Sequence, residues 1–178
     1  MTSRLKAPKG THDLLAFDSE KFAAVEAVAR RVFGSYGYGE IRTPTFESTE
    51  LFARSVGETT DIVHKEMYTF FDRKGRSLTL RPENTAGVVR ALVEKGIQEM
   101  AKPVRLWYAG SQFRYEQPQA GRYREFRQIG VELLGVPGAV GDAEVLGMLF
   151  AFLSALGFTD AVATINCIPK GAARASFS

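Results

Sequence analysis

From residue 124 to residue 134 the chain alternates with a period of two, and no other feature of the sequence restricts its fold as much. Glu125, Arg127, Ile129, Val131 and Leu133 fall on one side, and Arg124, Phe126, Gln128, Gly130 and Glu132 on the other. The first side turns apolar along its length and predicts packing on a core. The second stays polar in what should be a central strand, where polar groups need partners. Residues 103–116 predict a preceding long strand on which Gln112, Arg114 and Glu116 share one parity. If the two strands pair across the loop 117–123, one sheet face collects Arg114, Glu116, Phe126, Gln128 and Glu132. Such a face suits a ligand with anionic, aromatic and cationic parts. An internal salt-bridge network is the plainer alternative.

The remaining pattern predicts an α+β fold, a mainly antiparallel sheet flanked by helices. Asp18 or Ser19 is placed to cap a helix with Phe22, Val25, Val28, Val32, Phe33 and Tyr36 at helical spacing, closed by Gly37. Pro44 makes residues 41–46 an irregular or edge strand. A short helix over 50–56 ends at Gly57, before a polar loop at 58–61. Residues 67–71 and 77–81 predict a hairpin across Asp72-Arg73-Lys74-Gly75. Asn84 or Thr85 starts a helix with Val88, Val89, Leu92 and Val93 inward, closed by Gly96. Asp142 caps an apolar helix to Leu156, followed by Gly157 and a strand near 161–165. No repeat or linker interrupts the pattern, which predicts one domain.

Several classes are excluded. The 178 residues hold one cysteine, Cys167, so no disulfide forms within the chain, as suits a reducing cytoplasm. The polar N-terminus, with Arg4, Lys6, Lys9, His12 and Asp13, is not a signal peptide. The longest apolar stretch, 145–156, is shorter than the ~20 residues of a membrane span. There is no Walker-type phosphate loop, zinc-protease helix motif or nucleophile elbow. His12, His64 and Cys167 lack metal-ligand spacing.

The net charge is only +3, yet residues 105–128 carry five arginines against two glutamates and six of the chain's twenty aromatics. Arginines interleaved with aromatics suit phosphates and stacked bases. An ATP bound here would be held by arginines and a stacking aromatic. Glu83, in Arg81-Pro82-Glu83-Asn84-Thr85 at a strand-to-helix junction, either caps the helix or accepts a ligand ammonium.

These segments, taken in order, resemble the N-terminal catalytic region of the class II aminoacyl-tRNA synthetases, and within them the histidyl-tRNA synthetases. The resemblance is carried by Pro8-Lys9-Gly10-Thr11, Thr43-Pro44-Thr45-Phe46-Glu47, Thr49-Glu50-Leu51-Phe52 and Lys65-Glu66-Met67-Tyr68-Thr69-Phe70. Leu80-Arg81-Pro82-Glu83, Phe113-Arg114-Tyr115-Glu116 and Gly121-Arg122-Tyr123-Arg124-Glu125-Phe126 complete it. It implies a six-stranded antiparallel sheet and a homodimer formed partly around Pro44. It also implies ATP-dependent activation of L-histidine to histidyl-adenylate, transfer to tRNA(His), and Mg2+ on the phosphates.

By position, the resemblance makes Arg114 the catalytic ligand of the α-phosphate, with Glu116 at the adenine end and Phe126 stacked on adenine. Glu83, Thr85 and Gln128 take the histidine ammonium, and Glu132 accepts the imidazole N–H. Arg122 and Arg124 lie in the loop facing the phosphates and the tRNA acceptor end. No residue is implied as a metal ligand.

Arg127 stands where the family usually has histidine, Gln117 where it has arginine, and Asn84 where it has glycine. Residues 1–166 are expected to form a partial catalytic domain and 167–178 a divergent tail, so the third motif and the anticodon-binding domain are missing and the 178 residues alone are expected to be inactive. Two further readings stay open: a synthetase-like regulatory subunit of ATP phosphoribosyltransferase, which would not need the loop 119–126, and an inactive truncated fragment.

Overall fold

The computed structural model describes residues 5–56, 66–96, 102–119 and 121–166. Gly57, the loop 58–61, Lys65, Cys167 and the tail 167–178 lie outside the described residues. Among the described residues six strands and four helices follow in the order α1 (Ala16–Ser35), β1 (Gly39–Glu40), β2 (Phe46–Ser48), α2 (Thr49–Val56), β3 (Thr69–Phe71), β4 (Ser77–Leu80), α3 (Thr85–Glu94), β5 (Val104–Phe113), β6 (Glu125–Leu134) and α4 (Ala139–Ala155).

The α+β class is as expected, but the strands do not form one sheet. Among the described residues they form two sheets of three, ordered β1-β5-β6 and β2-β4-β3. Every pairing is antiparallel except that of β1 with β5, which is parallel. The Phe113 amide at the end of β5 donates to the carbonyl of Arg81, the residue after β4 (2.9 Å), and so ties the sheets together; the Arg81 amide extends the β2–β4 ladder onto the Thr45 carbonyl (3.0 Å).

The β5–β6 hairpin follows the alternation closely. Its register sets Leu106 opposite Glu132, Tyr108 opposite Gly130, Gly110 opposite Gln128 and Gln112 opposite Phe126. Ile129, Val131 and Leu133 turn to the other face, against a core of Ala29, Val32, Phe33, Tyr38, Trp107 and Met148 from α1, the turn before β1, β5 and α4. Trp107 is 2% exposed and lies edge-on to Phe33 at 5.8 Å. A second core of Val88, Leu92 and Tyr108 joins α3 to the opposite face.

Four local expectations are corrected. Neither Asp18 nor Ser19 caps α1: the helix starts earlier, with extended Leu15 in the cap position, and Asp18 lies in its first turn. Asp142 likewise sits inside the first turn of α4, whose cap position is Gly138. Val89 and Val93 are exposed, because the inward stripe of α3 is Ala86, Gly87, Val88 and Leu92. Residues 161–166 form no strand and have no strand beside them among the described residues.

Candidate functional site

The polar sheet face lies beneath the N-terminus of α3. Glu83 supplies that helix with its cap: one carboxylate oxygen accepts the Thr85 amide at 2.5 Å and the other the Ala86 amide at 3.0 Å. Asn84 holds the cap position without capping; its Oδ1 accepts the Thr43 hydroxyl at 2.7 Å. Each oxygen of Glu83 keeps a second lone pair, so capping leaves it able to accept from a ligand cation.

The Thr85 hydroxyl reaches across to β6 and donates to Glu132 Oε1 at 2.7 Å. Burial raises the Glu132 carboxyl above its ordinary range, and the negative charge of Glu83 adds to this against the Thr85 hydrogen bond. Tyr108 sits beside them, 5% exposed. Its phenol is raised by burial first and by the Glu132 charge second. The ring crosses the hairpin at Gly130, where any Cβ would overlap Tyr108 Cζ and Oη. Glycine is required at that point of β6 because a ring occupies the space.

Farther along the face, Arg114 donates from Nε to the Pro82 carbonyl at 3.0 Å, and its Cζ lies 5.3 Å from the Phe126 ring centre. Among the described residues the Arg114 side chain makes no other hydrogen bond. The Arg122 guanidinium pairs with Glu116 at 2.8 Å. Arg124 is held from several sides: Nε donates to the Glu116 carbonyl at 3.2 Å, and Cζ lies 3.9 Å from the Tyr115 ring centre. Gln128 Oε1 is buried without a hydrogen-bond partner among the described residues.

The expected residues therefore gather in two groups, Glu83–Thr85–Glu132 and Arg114–Phe126. Arg122 and Arg124 are engaged within the hairpin and its surroundings. Tyr108 and Arg81 were not anticipated, and Gln112 was placed only by its parity with Arg114 and Glu116. Arg81 lies over Gly110, donating from Nε to the Ser111 carbonyl at 2.8 Å and from Nη1 to the Thr43 carbonyl at 3.0 Å. Its pKa is lowered by burial and then by the charge of Arg127. Gln112 is fully buried with neither amide atom bonded, beside a polar recess of about 170 Å³ lined by Thr43, Arg81, Asn84 and Tyr108. Isolated glycines at 110 and 130 inside strands were the available signal, since such positions mark a close approach.

No three His, Cys, Asp or Glu side chains among the described residues group as metal ligands. Magnesium on a nucleotide needs one or two carboxylates beside the phosphates. Glu83 is engaged by two amides, Glu116 by Arg122 and Glu132 by Thr85. Spread along the face and not grouped, these carboxylates do not fit a Mg2+ site of the chain's own among the described residues.

The family model described as histidyl-tRNA synthetase matches residues 10–168. A histidine–tRNA ligase of Desulforudis audaxviator is 52% identical over 164 residues, which is 92% of this chain and 39% of that relative. The chain thus spans about two fifths of the length of the curated relatives it matches. The solved structure of apo histidyl-tRNA synthetase from S. aureus superposes with a TM-score of 0.73 at 42% identity, covering 86% of this chain and 35% of that one. A Bacillus halodurans structure titled ATP phosphoribosyltransferase regulatory subunit/histidyl-tRNA synthetase gives the same TM-score at 30% identity, covering 85% and 38%.

Proposed function

The chain belongs to the histidyl-tRNA synthetase family, and from that premise we propose that it forms the part of a histidine–tRNA ligase that holds L-histidine and ATP. The observation that carries the reading is the pair of groups on one sheet face, Glu83–Thr85–Glu132 and Arg114–Phe126, on the two strands of one hairpin and the helix above it. The histidine ammonium sits at Glu83, Thr85 and Gln128, whose unpartnered Oε1 accepts from it. The imidazole N–H donates to Glu132. Phe126 stacks on adenine, Glu116 faces its exocyclic edge, and Arg114 meets the α-phosphate.

In the proposed reaction the histidine carboxylate oxygen attacks the α-phosphorus, the bond to the bridging oxygen breaks, and pyrophosphate leaves. Charge gathers on the α-phosphate oxygens, where a guanidinium already in place is worth more than one that must be drawn in. Pro82 holds Arg114 through Nε and leaves the terminal nitrogens for that task. The second step transfers the histidyl group to tRNA(His), whose acceptor end meets the arginine-bearing loop at Arg122 and Arg124.

A homodimer is part of the proposal. Phe46, Phe70, Leu78 and Leu80 share one face of the β2-β4-β3 sheet, with Phe46 50% and Phe70 41% exposed. An apolar sheet face of this kind suits a second copy. The curated relative named histidine–tRNA ligase, at 52% identity, favours the ligase over the regulatory subunit. No helix among the described residues is long and apolar enough to cross a membrane, and a cytoplasmic location is proposed.

Calorimetric titration of the chain with L-histidine and with ATP tests the reading. Saturable binding of both is expected. Histidine binding no tighter than that of alanine would overturn it.

A further inference from the structure

The N-terminal segment 8–14 lies against the base of the hairpin loop, more than a hundred residues away in sequence. Residues 8–11 form a turn closed by the Thr11 amide on the Pro8 carbonyl at 3.0 Å, reinforced by the Thr11 hydroxyl on the same oxygen at 2.8 Å. Gly10 occupies the third position with φ of +86°, which a turn of this kind reserves for glycine. The turn thereby aims two carbonyls at one residue. The Arg124 amide donates to the Gly10 carbonyl at 2.8 Å, and Arg124 Nη1 reaches the Lys9 carbonyl at 3.5 Å. The Arg124 side chain packs so closely that a Cβ on Gly10 would stand 2.7 Å from its Cγ.

The contact continues to the site. The Arg124 carbonyl accepts the Arg114 amide at 3.0 Å, so Gly10, Arg124 and Arg114 form consecutive rungs of one ladder. Two residues along, the His12 ring stacks on Tyr123 with centres 4.6 Å apart, beside a recess of about 250 Å³ that Phe126 also lines.

We propose that segment 8–14 is a strap that positions Arg114 for the nucleotide, with Gly10 and His12 as its positioning residues. At that end the β5 side is already paired, the Phe113 and Tyr115 amides donating to the Arg81 and Glu66 carbonyls at 2.9 and 2.7 Å, whereas β6 is the edge of its sheet among the described residues. The last rungs of an edge strand fray readily, and the strap covers that edge where the phosphate ligand begins. His12 acts on the same hairpin base by fixing the Tyr123 ring. The effect on the nucleotide rests on the proposed role of Arg114; the effect on the hairpin does not.

Amide hydrogen exchange on the full 178-residue chain separates the two. Gly10→Ala and His12→Ala are expected to speed exchange at Arg114 and Arg124 by ~10-fold or more, while amides at the centre of the β5–β6 ladder keep their rates. His12→Phe, which keeps the ring, restores the slow exchange. ATP affinity, titrated on the same proteins, falls several-fold in the two alanine variants and histidine affinity does not. Unchanged exchange at Arg114 and Arg124 overturns the strap, and so does an equal acceleration throughout the hairpin. If exchange responds as expected while the unsubstituted chain binds no ATP, the strap stands and the nucleotide reading falls.

Discussion

The Thr85 hydroxyl donates to Glu132 Oε1 at 2.7 Å, tying the first turn of α3 to β6. Among the described residues this is the one hydrogen bond made by a carboxylate that burial and the charge of Glu83 both oppose. Its carboxyl is raised, so the folded chain holds the proton more tightly than the unfolded one. Ionisation as pH rises through the folded value therefore costs stability, and the cost persists at neutral pH. Glu132→Gln keeps the size and the acceptor but removes the charge. The ligand-free variant is expected to melt higher than the parent at pH 7. Histidine affinity should fall by ~10-fold or more, about 1.4 kcal/mol, with ATP affinity nearly constant. A lower melting temperature, or unchanged histidine binding, would return Glu132 to bracing Thr85.

Gly130→Ala tests whether the site depends on Tyr108 crossing the hairpin. The new methyl group overlaps the ring of a residue that is 5% exposed and packed under Val88 and Leu92. Overpacking of a tight core costs roughly 1–3 kcal/mol. Urea denaturation should show a loss in that range, and histidine affinity should fall because the displaced ring stood beside Glu132. A variant as stable as the parent would mean that the ring moves freely.

Gln112→Met addresses the polar recess beneath Arg81. The amide is fully buried with both atoms unbonded, and methionine matches its length. Replacing an unsatisfied buried polar group with an apolar one of similar shape is neutral or favourable. An increase of ~1 kcal/mol is expected by denaturant titration. A loss of that size would show that the amide has a partner in solution.

The hairpin and its polar face were legible because a strand with a core on one side must alternate, and 128–133 does so. Glu83, Thr85 and Glu132 are linked through the Thr85 amide and hydroxyl, and only the resemblance puts them on one ligand. The helix starts were less legible: Asp18 and Asp142 are good capping residues, but both helices begin a few residues earlier, where extended Leu15 and Gly138 turn the chain in. Tyr108 over Gly130 and Arg81 over Gly110 depend on strand register, which no local pattern states. The ladder from Gly10 to Arg124 joins segments too distant for any periodicity to connect. Val89 and Val93 looked inward by spacing alone; the small residues Ala86 and Gly87 take the inner face because α3 lies close to Thr43.

Away from the site, Glu144 on α4 ties Arg105 of β5 to Tyr38. Arg105 donates from Nε at 2.7 Å and from Nη2 at 2.8 Å, and the Tyr38 hydroxyl donates at 3.0 Å. The Arg105 hydrogen bonds hold the Glu144 carboxyl at about 2, below its ordinary 4.5. Its contribution is complete above the unfolded value and is lost as pH falls from there towards about 2. Burial, with Glu144 next, pushes the Tyr38 phenol up to about 12 from 10. That contribution is complete below the unfolded value and is lost as pH climbs through about 12. Glu144→Gln should lower the melting temperature at neutral pH and flatten its fall on the acid side. Parallel melting curves for variant and parent across that range would remove Glu144 from the acid response.

Arg114→Lys separates charge from geometry at the proposed α-phosphate contact. Arginine is anchored through Nε to the Pro82 carbonyl at 3.0 Å and presents a planar pair of terminal nitrogens beside Phe126. Lysine keeps the charge but loses both the anchor and the fork that engages two oxygens at once. In a protein that carries out the whole reaction, adenylate formation should fall by ~100-fold or more, a few kcal/mol of transition-state stabilisation. Histidine affinity should change far less, because Glu83, Thr85, Gln128 and Glu132 are untouched. ATP affinity should fall less than the rate, since a contact that tightens as charge gathers in the transition state acts on the rate first. Single-turnover adenylate formation, followed alongside equilibrium titrations of both substrates, distinguishes the outcomes. Equal losses in rate, ATP affinity and histidine affinity would make Arg114 an organiser of the pocket through Pro82 and not a ligand of the phosphate.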